Sequence, residues 1–299
     1  MDPKFRTWHI VFQFGRVWGV AMVVFMWMTG CAFRPANPQQ LEALGWQELT
    51  TAAPLRAWAR PHLGPHALVV FESDGAAWLR MGTKAPADPT PVRALGLELA
   101  QVLERALPSQ KNNEGPVVYV GRHCQFLGGA GAAHPKPADC QTDALWTEAR
   151  FSPRVVSDMR ALLAQLAHRM PHIQTWTLLG FSGGGTLAAL VGMARHQQHH
   201  DVRCVITLAS PLDLRAWAQL QRMSSLSLSL DPADQATQLE QIPSVHWFGS
   251  ADRKVPLASA GRLLEEPALA DRFKTLAGVG HGAEWVSIGI HKIGQGCIT

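Results

Sequence analysis

The sequence predicts an α/β fold, a mostly parallel sheet with helices on its faces. Strand-like apolar runs alternate with segments of helical periodicity from Ala67 to the C-terminal region. One stretch, Thr175 to Gly192 (TWTLLGFSGGGTLAALVG), joins an apolar run to a small-residue helix through a serine and three glycines. Over 299 residues, 47% hydrophobic against 17% charged gives enough apolar material for one large domain core.

The elements follow in order. ALVVFE (Ala67 to Glu72) has the length and branching of a buried strand. Pro91 to Leu107 carries apolar residues at helical spacing, and PVVYVG (Pro116 to Gly121) is strand-like again. A Gly/Pro/His-rich loop, Arg122 to Asp139, comes next. In Ser152 to Met170, Ser152 can cap and Pro153 suits the first turn. Val155, Val156, Met159, Leu162, Leu163 and Leu166 form one apolar face. Ile173 to Phe181, Val202 to Ser210, Ser244 to Ser250 and Arg272 to Val279 read as strands. A helix is expected from near Gly184 and another over Leu257 to Glu266. Leu212 to Ile242 is an insertion between two strands, short for a lipase lid and expected to form a small cap.

The N-terminus reads as an export signal over residues 1–30. Lys4, Arg6 and Arg16 precede an unbroken apolar run, Val17 to Met28, too short for a comfortable membrane span. The run ends in Met-Thr-Gly-Cys, which resembles the lipobox of bacterial lipoproteins. That resemblance implies acylation of Cys31 and a tether over 31–40. An uncleaved anchor helix and a plain secretory signal are the alternatives, and all three export the domain. The net charge of +4 is small and shows no basic stripe, which disfavours nucleic acid as a partner.

Cysteine usage fits an oxidising compartment. A lipidated Cys31 leaves Cys124, Cys140, Cys204 and Cys297, with three connectivities. Cys124 and Cys140 flank one loop and are the favoured pair; Cys204, in an apolar strand, is expected as a buried free thiol.

Gly180-Phe181-Ser182-Gly183-Gly184 matches G-x-S-x-G. A serine held on a tight strand-to-helix turn needs small residues two positions away on either side. Gly183 would present its N–H at a helix N-terminus, where an oxyanion can sit. A phosphate-binding loop is the competing reading, but the lysine of a P-loop is missing. A serine nucleophile needs a base and an orienting carboxylate. Asp252, past the strand of HWFGSADRKVP, and His281, in LAGVGHGAEW, follow Ser182 in the order Ser, acid, His. Asp213, one strand earlier, is the rival carboxylate; Asp252 is favoured because GSADRKVP has the form G-x-x-D-x-x-V-P.

With these residues the chain resembles an α/β-hydrolase from about Ala67 onward, giving a domain over 41–299 with a cap at 212–242. More narrowly it resembles bacterial α/β-hydrolases carrying GDG…W, DPTP, R-x-C and PLD…W segments. Here they stand as ESDGAAW (Glu72 to Trp78), Asp88 to Pro91, Arg122 to Cys124, and Pro211 to Trp217, with Ser73 and His123 departing from the pattern. The resemblance implies a second oxyanion N–H from Asp74, with Gly75 as alternate. The Asp74 carboxylate is expected to point away from the anion into a hydrogen-bonding role.

Neither metal nor cofactor is expected. Glu72 with Asp74, and the run Arg195 to Asp201 (RHQQHHD), invite a metal reading, and for the latter a solvated polar turn is the simpler account. The expected activity is carboxylic ester hydrolysis on a small-molecule ester or acyl substrate. Acyl transfer, peptide or amide hydrolysis, and non-catalytic binding at the cell envelope are the alternatives, which fold alone does not separate.

Overall fold

A computed structural model describes residues 39–49, 51, 54–77, 84–106, 114–127 and 137–292. The export signal, Cys31, most of the tether, Trp78, the middle of the Gly/Pro/His-rich loop and Cys297 lie outside the described residues.

The described residues form an eight-stranded sheet: β1 (Gln47–Leu49), β2 (Ala57–Arg60), β3 (His66–Phe71), β4 (Glu114–Val120), β5 (Thr175–Phe181), β6 (Val202–Leu208), β7 (Ser244–Gly249) and β8 (Phe273–Leu276). Their order is β1-β2-β4-β3-β5-β6-β7-β8. β2 runs antiparallel to β1 and β4, and every other pairing is parallel. The central strands end in step, with Phe71 opposite Gly180 and Phe181 opposite Leu208. Their following loops therefore emerge along one edge, the carboxyl edge where open α/β sheets hold ligands.

Period-two alternation divides the core between the two faces of the sheet. Val69 and Phe71 of β3 join Val118, Val120 and Leu178 beneath α3 (Pro153–Arg169) and α4 (Gly183–His199). Leu68 and Val70 join Val117, Tyr119 and Leu179 on the other face, with α2 (Leu95–Ala106) and Trp285 of α7 (Glu284–Lys292). In α3, Ser152 caps by accepting from the Val155 N–H, and the six apolar residues named above are all buried. Burial of each such side chain contributes about 1.5–3 kcal/mol. Residues 183–193 of α4 are buried on every side, as befits a central helix.

Several boundaries differ from expectation. α2 starts at Leu95, not Pro91, because Pro89 and Pro91 belong to a loop whose Pro89 carbonyl accepts from Ala76. The segment expected as a helix over Leu257 to Glu266 is 3₁₀ and broken at Gly261 (φ 46°). A side chain there would run into the Asp213 carboxylate, so the chain turns where the apolar spacing reads as continuous helix. The insertion holds α5 (Leu214–Leu220) and α6 (Ala236–Glu240). β1, β2, α7 and the short helix α1 (Gln39–Ala43) had no sequence assignment.

A disulfide joins Cys124 to Cys140, 16 residues apart, and packs with Trp146 in a small apolar cluster beside the main core. Cys204 in β6 is itself disulfide-bonded, not the free thiol expected.

Candidate active site

Ser182 sits between β5 and α4 with φ 54° and ψ −129°, a conformation costing an L-residue on the order of 1–3 kcal/mol. The turn holds because the space around it is filled by backbone. A Cβ on Gly180 would meet the Gly184 main chain, and one on Gly184 would meet the Phe71 and Glu72 carbonyls. The Ser182 N–H donates to the Leu208 carbonyl at 2.8 Å. The side chain is left partly exposed at the carboxyl edge of the sheet.

The structure brings Ser182, His281 and Asp252 together. His281 Nε2 lies 3.1 Å from Ser182 Oγ, and Nδ1 lies 2.7 Å from Asp252 Oδ2. A carboxylate only accepts, so Nδ1–H donates to Asp252 and Nε2 is free to accept from the serine hydroxyl. Asp252 is buried, and its other oxygen accepts from the Lys254 and Val255 N–H groups at 2.8 Å each. The His281 ring rests against Phe181, centroids 4.8 Å apart.

Asp213 is committed elsewhere. It caps α5 through the Ala216 N–H and accepts from the Arg262 N–H and Nε at 3.0 and 2.8 Å. Burial alone would raise its carboxyl, but the bonds from Arg262 outweigh that and hold it below its usual range.

The loop after β3 lies against the start of α4, where the Asp74 side chain meets Gly183. Among the described residues, neither the Gly183 nor the Asp74 N–H has an acceptor. Gly75 turns the loop at φ 62°, where a side chain would strike the Pro89 carbonyl and Gln125. The Asp74 carboxylate is held by Arg122 Nη1 at 2.5 Å and Arg150 Nη1 at 3.0 Å. Burial pushes this carboxyl up, yet the two guanidiniums overcome it and keep it below the ordinary carboxylate range.

Glu72 anchors the start of the same loop. It is fully buried and accepts from the Ser73 N–H and Oγ, from the Gly96 and Leu97 N–H groups opening α2, and from Tyr119. Ser73, the departure from the resemblance pattern, thus has a bonding role. Burial raises the Glu72 carboxyl above its usual value despite these donors. Glu72 and Asp74 accordingly serve separate protein partners. In the run Arg195 to Asp201, Arg195 pairs with Asp201 and stacks on Trp176, and His200 closes α4 in the left-handed conformation. Among the described residues, no group of His, Cys, Asp or Glu is placed to hold a metal. The roles of Arg150 and Glu72 had no local sequence signal, because their partners come from distant segments.

No family model matches the chain, and no curated protein matches it. Among solved structures it is similar to a puromycin hydrolase, with TM-score 0.52 and 19% identity, covering 82% of this chain and 37% of that one. It is also similar to the Pyrococcus furiosus esterase Pf2001, with TM-score 0.52 and 10% identity, covering 85% of this chain and 92% of that one. A third is Est1E from Butyrivibrio proteoclasticus, with TM-score 0.52 and 11% identity, covering 84% and 96%. The chain spans under two fifths of the length of the puromycin hydrolase. Strand order, helix placement and these likenesses give the chain the α/β-hydrolase fold.

Proposed function

We propose that the protein is a serine hydrolase acting on carboxylic esters, with Ser182 as nucleophile, His281 as base and Asp252 as the orienting carboxylate. The observation that carries this is the hydrogen-bonded chain from Ser182 Oγ through the His281 ring to buried Asp252. His281 Nε2 takes the hydroxyl proton as Oγ attacks the ester carbonyl carbon. The Gly183 and Asp74 N–H groups receive the oxyanion. As the tetrahedral adduct collapses, the carbon–oxygen bond to the alcohol breaks and His281 returns the proton to the departing oxygen. Water, activated by the same imidazole, then releases the acid from Ser182. Asp252 holds the imidazole tautomer through its bond from Nδ1–H.

A p-nitrophenyl ester series tests this: wild type should turn over a short acyl ester, and Ser182→Ala should lose that activity while remaining folded. Equal turnover by both would remove the assignment. Neighbours named as an esterase and as a puromycin hydrolase leave the amide reading open, so a matched p-nitroanilide belongs in the same assay. Faster amide than ester turnover would move the assignment to an amidase.

The lipobox-like segment supports a location at a bacterial envelope membrane through an acylated Cys31. Wild type should incorporate a fatty-acid analogue that Cys31→Ser does not. An unlabelled wild type beginning at another residue would leave a secreted or helix-anchored protein. Among the described residues, no helix is long and apolar enough to cross a membrane.

A further inference from the structure

We propose that Arg122 is a positioning residue for the oxyanion site, acting through the Asp74 carboxylate to fix the loop after β3 against the first residue of α4. This rests on the hydrolase reading above and deepens it.

The geometry starts at Gly183. A Cβ built there falls on the Asp74 carboxyl group and on Arg122 Nη1, so those atoms occupy the place of a side chain. The Asp74 side chain is therefore wedged against the residue whose N–H is one oxyanion donor, while its own N–H is the other. The wedge sets the separation between the two donors. A carboxylate beside a developing anion has the wrong sign. Here it is bracketed by two guanidiniums, Arg122 and Arg150, whose side chains are 5% and 3% exposed, and the three-charge cluster carries a net positive charge.

The same cluster ties the loop after β3 to both ends of the long connection between β4 and α3. Arg122 Nη2 donates to the Arg150 carbonyl at 2.8 Å, and Arg150 Nε donates to the Thr147 carbonyl at 2.7 Å. Gln125 Oε1 accepts from the Arg122 N–H, and its Nε2 donates to the Ser73 carbonyl, both at 3.0 Å. Arg122 also lies over the Phe151 ring, 4.9 Å from its centroid. The loop after β3 is thus gripped on its main chain by Gln125 and on its side chain by Arg122. Buried ion clusters of this kind add little stability over apolar packing of equal volume. What the fork geometry of Arg122 supplies is a fixed direction: one arm holds Asp74 and the other holds the loop before α3. Arg122 reaches no reacting atom in this account and works only through Asp74.

The test separates donor placement from general stability. An alkyl trifluoromethyl ketone adds Ser182 Oγ at its carbonyl carbon, the serine proton passing to His281. The hemiketal then puts an anionic oxygen where the oxyanion forms. Arg122→Gln, shown by circular dichroism to be folded, should bind the ketone about 10–100-fold more weakly. Its kcat on p-nitrophenyl acetate should fall by the same factor, with KM within about twofold. Arg122→Lys keeps the charge but not the fork and should lose about 3–10-fold in ketone affinity. Folded Arg122→Gln at wild-type ketone affinity would overturn the proposal. If Arg122→Gln does not fold, Arg122→Lys decides, and wild-type affinity in that variant would overturn it. A wild-type protein that a fluorophosphonate fails to label at Ser182 would instead bring down the hydrolase reading itself.

Discussion

Asp252 and Asp213 both follow strands on the His281 side of the sheet, and the difference between them lies in what each carboxylate already holds. Asp252 spends one oxygen on two backbone N–H groups and the other on His281 Nδ1. Asp213 spends both on α5 and Arg262. Asp252→Asn should therefore lower kcat by about 10⁴-fold, since an amide in that place favours the wrong imidazole tautomer. Asp213→Asn should leave kcat within about threefold and lower thermal stability, as Arg262 loses the charge of one of its two buried partners. Steady-state kinetics and melting curves on the two variants decide; a larger loss of kcat in Asp213→Asn would reassign the acid. The preference for Asp252 was legible in the sequence because its loop pattern, G-x-x-D-x-x-V-P, is local. The Arg122–Asp74–Arg150 cluster was not, because its members sit 48 and 76 residues apart and meet only through the sheet.

At the scale of the element, β7 carries a group with no part in the chemistry. His246 is fully buried, its Nδ1 is 2.9 Å from Thr207 Oγ1, and its ring lies against Phe273. Burial, aided by nearby Arg272, pulls its pKa from 6.5 down to about 3. The folded state thus holds His246 neutral while the unfolded chain takes up a proton below about pH 6.5. Its stabilising contribution is complete above that pH and is lost as pH falls toward 3, with a limiting slope of about 1.4 kcal/mol per pH unit. Urea midpoints at pH 7, 6 and 5 should fall more steeply in wild type than in His246→Phe. Parallel curves would contradict this. Strand β7 itself was readable from its apolar run. β1 and β2, three and four residues long, were too short to leave a periodicity. The break at Gly261 was hidden because a tertiary contact, the Asp213 carboxylate, imposes it on a segment whose own pattern is helical.

For the whole molecule, the sheet brings the loops after β3, β5, β7 and β8 to one edge. Chain order alone indicated this arrangement, because each site segment follows a strand-like run. The loop after β4 joins that edge through Arg122 and Gln125 and is stapled two residues from Arg122 by the Cys124–Cys140 disulfide. Closing a loop of that length stabilises the fold by about 3 kcal/mol. Replacing both cysteines with alanine should lower the unfolding free energy by about that amount in urea titrations, and an unchanged midpoint would contradict it.

The proposed hydrolysis requires Ser182 to be a nucleophile activated by His281. Intact-mass analysis after exposure to a fluorophosphonate tests this without knowledge of the substrate. Wild type should gain one phosphonyl adduct, mapped to Ser182 by peptide sequencing, with fluoride leaving as Oγ bonds to phosphorus. His281→Ala should label slower by several decades, on the order of the loss when a triad member is removed. Ser182→Ala should gain no adduct. An unlabelled wild type, or an adduct that persists in Ser182→Ala, would contradict the account.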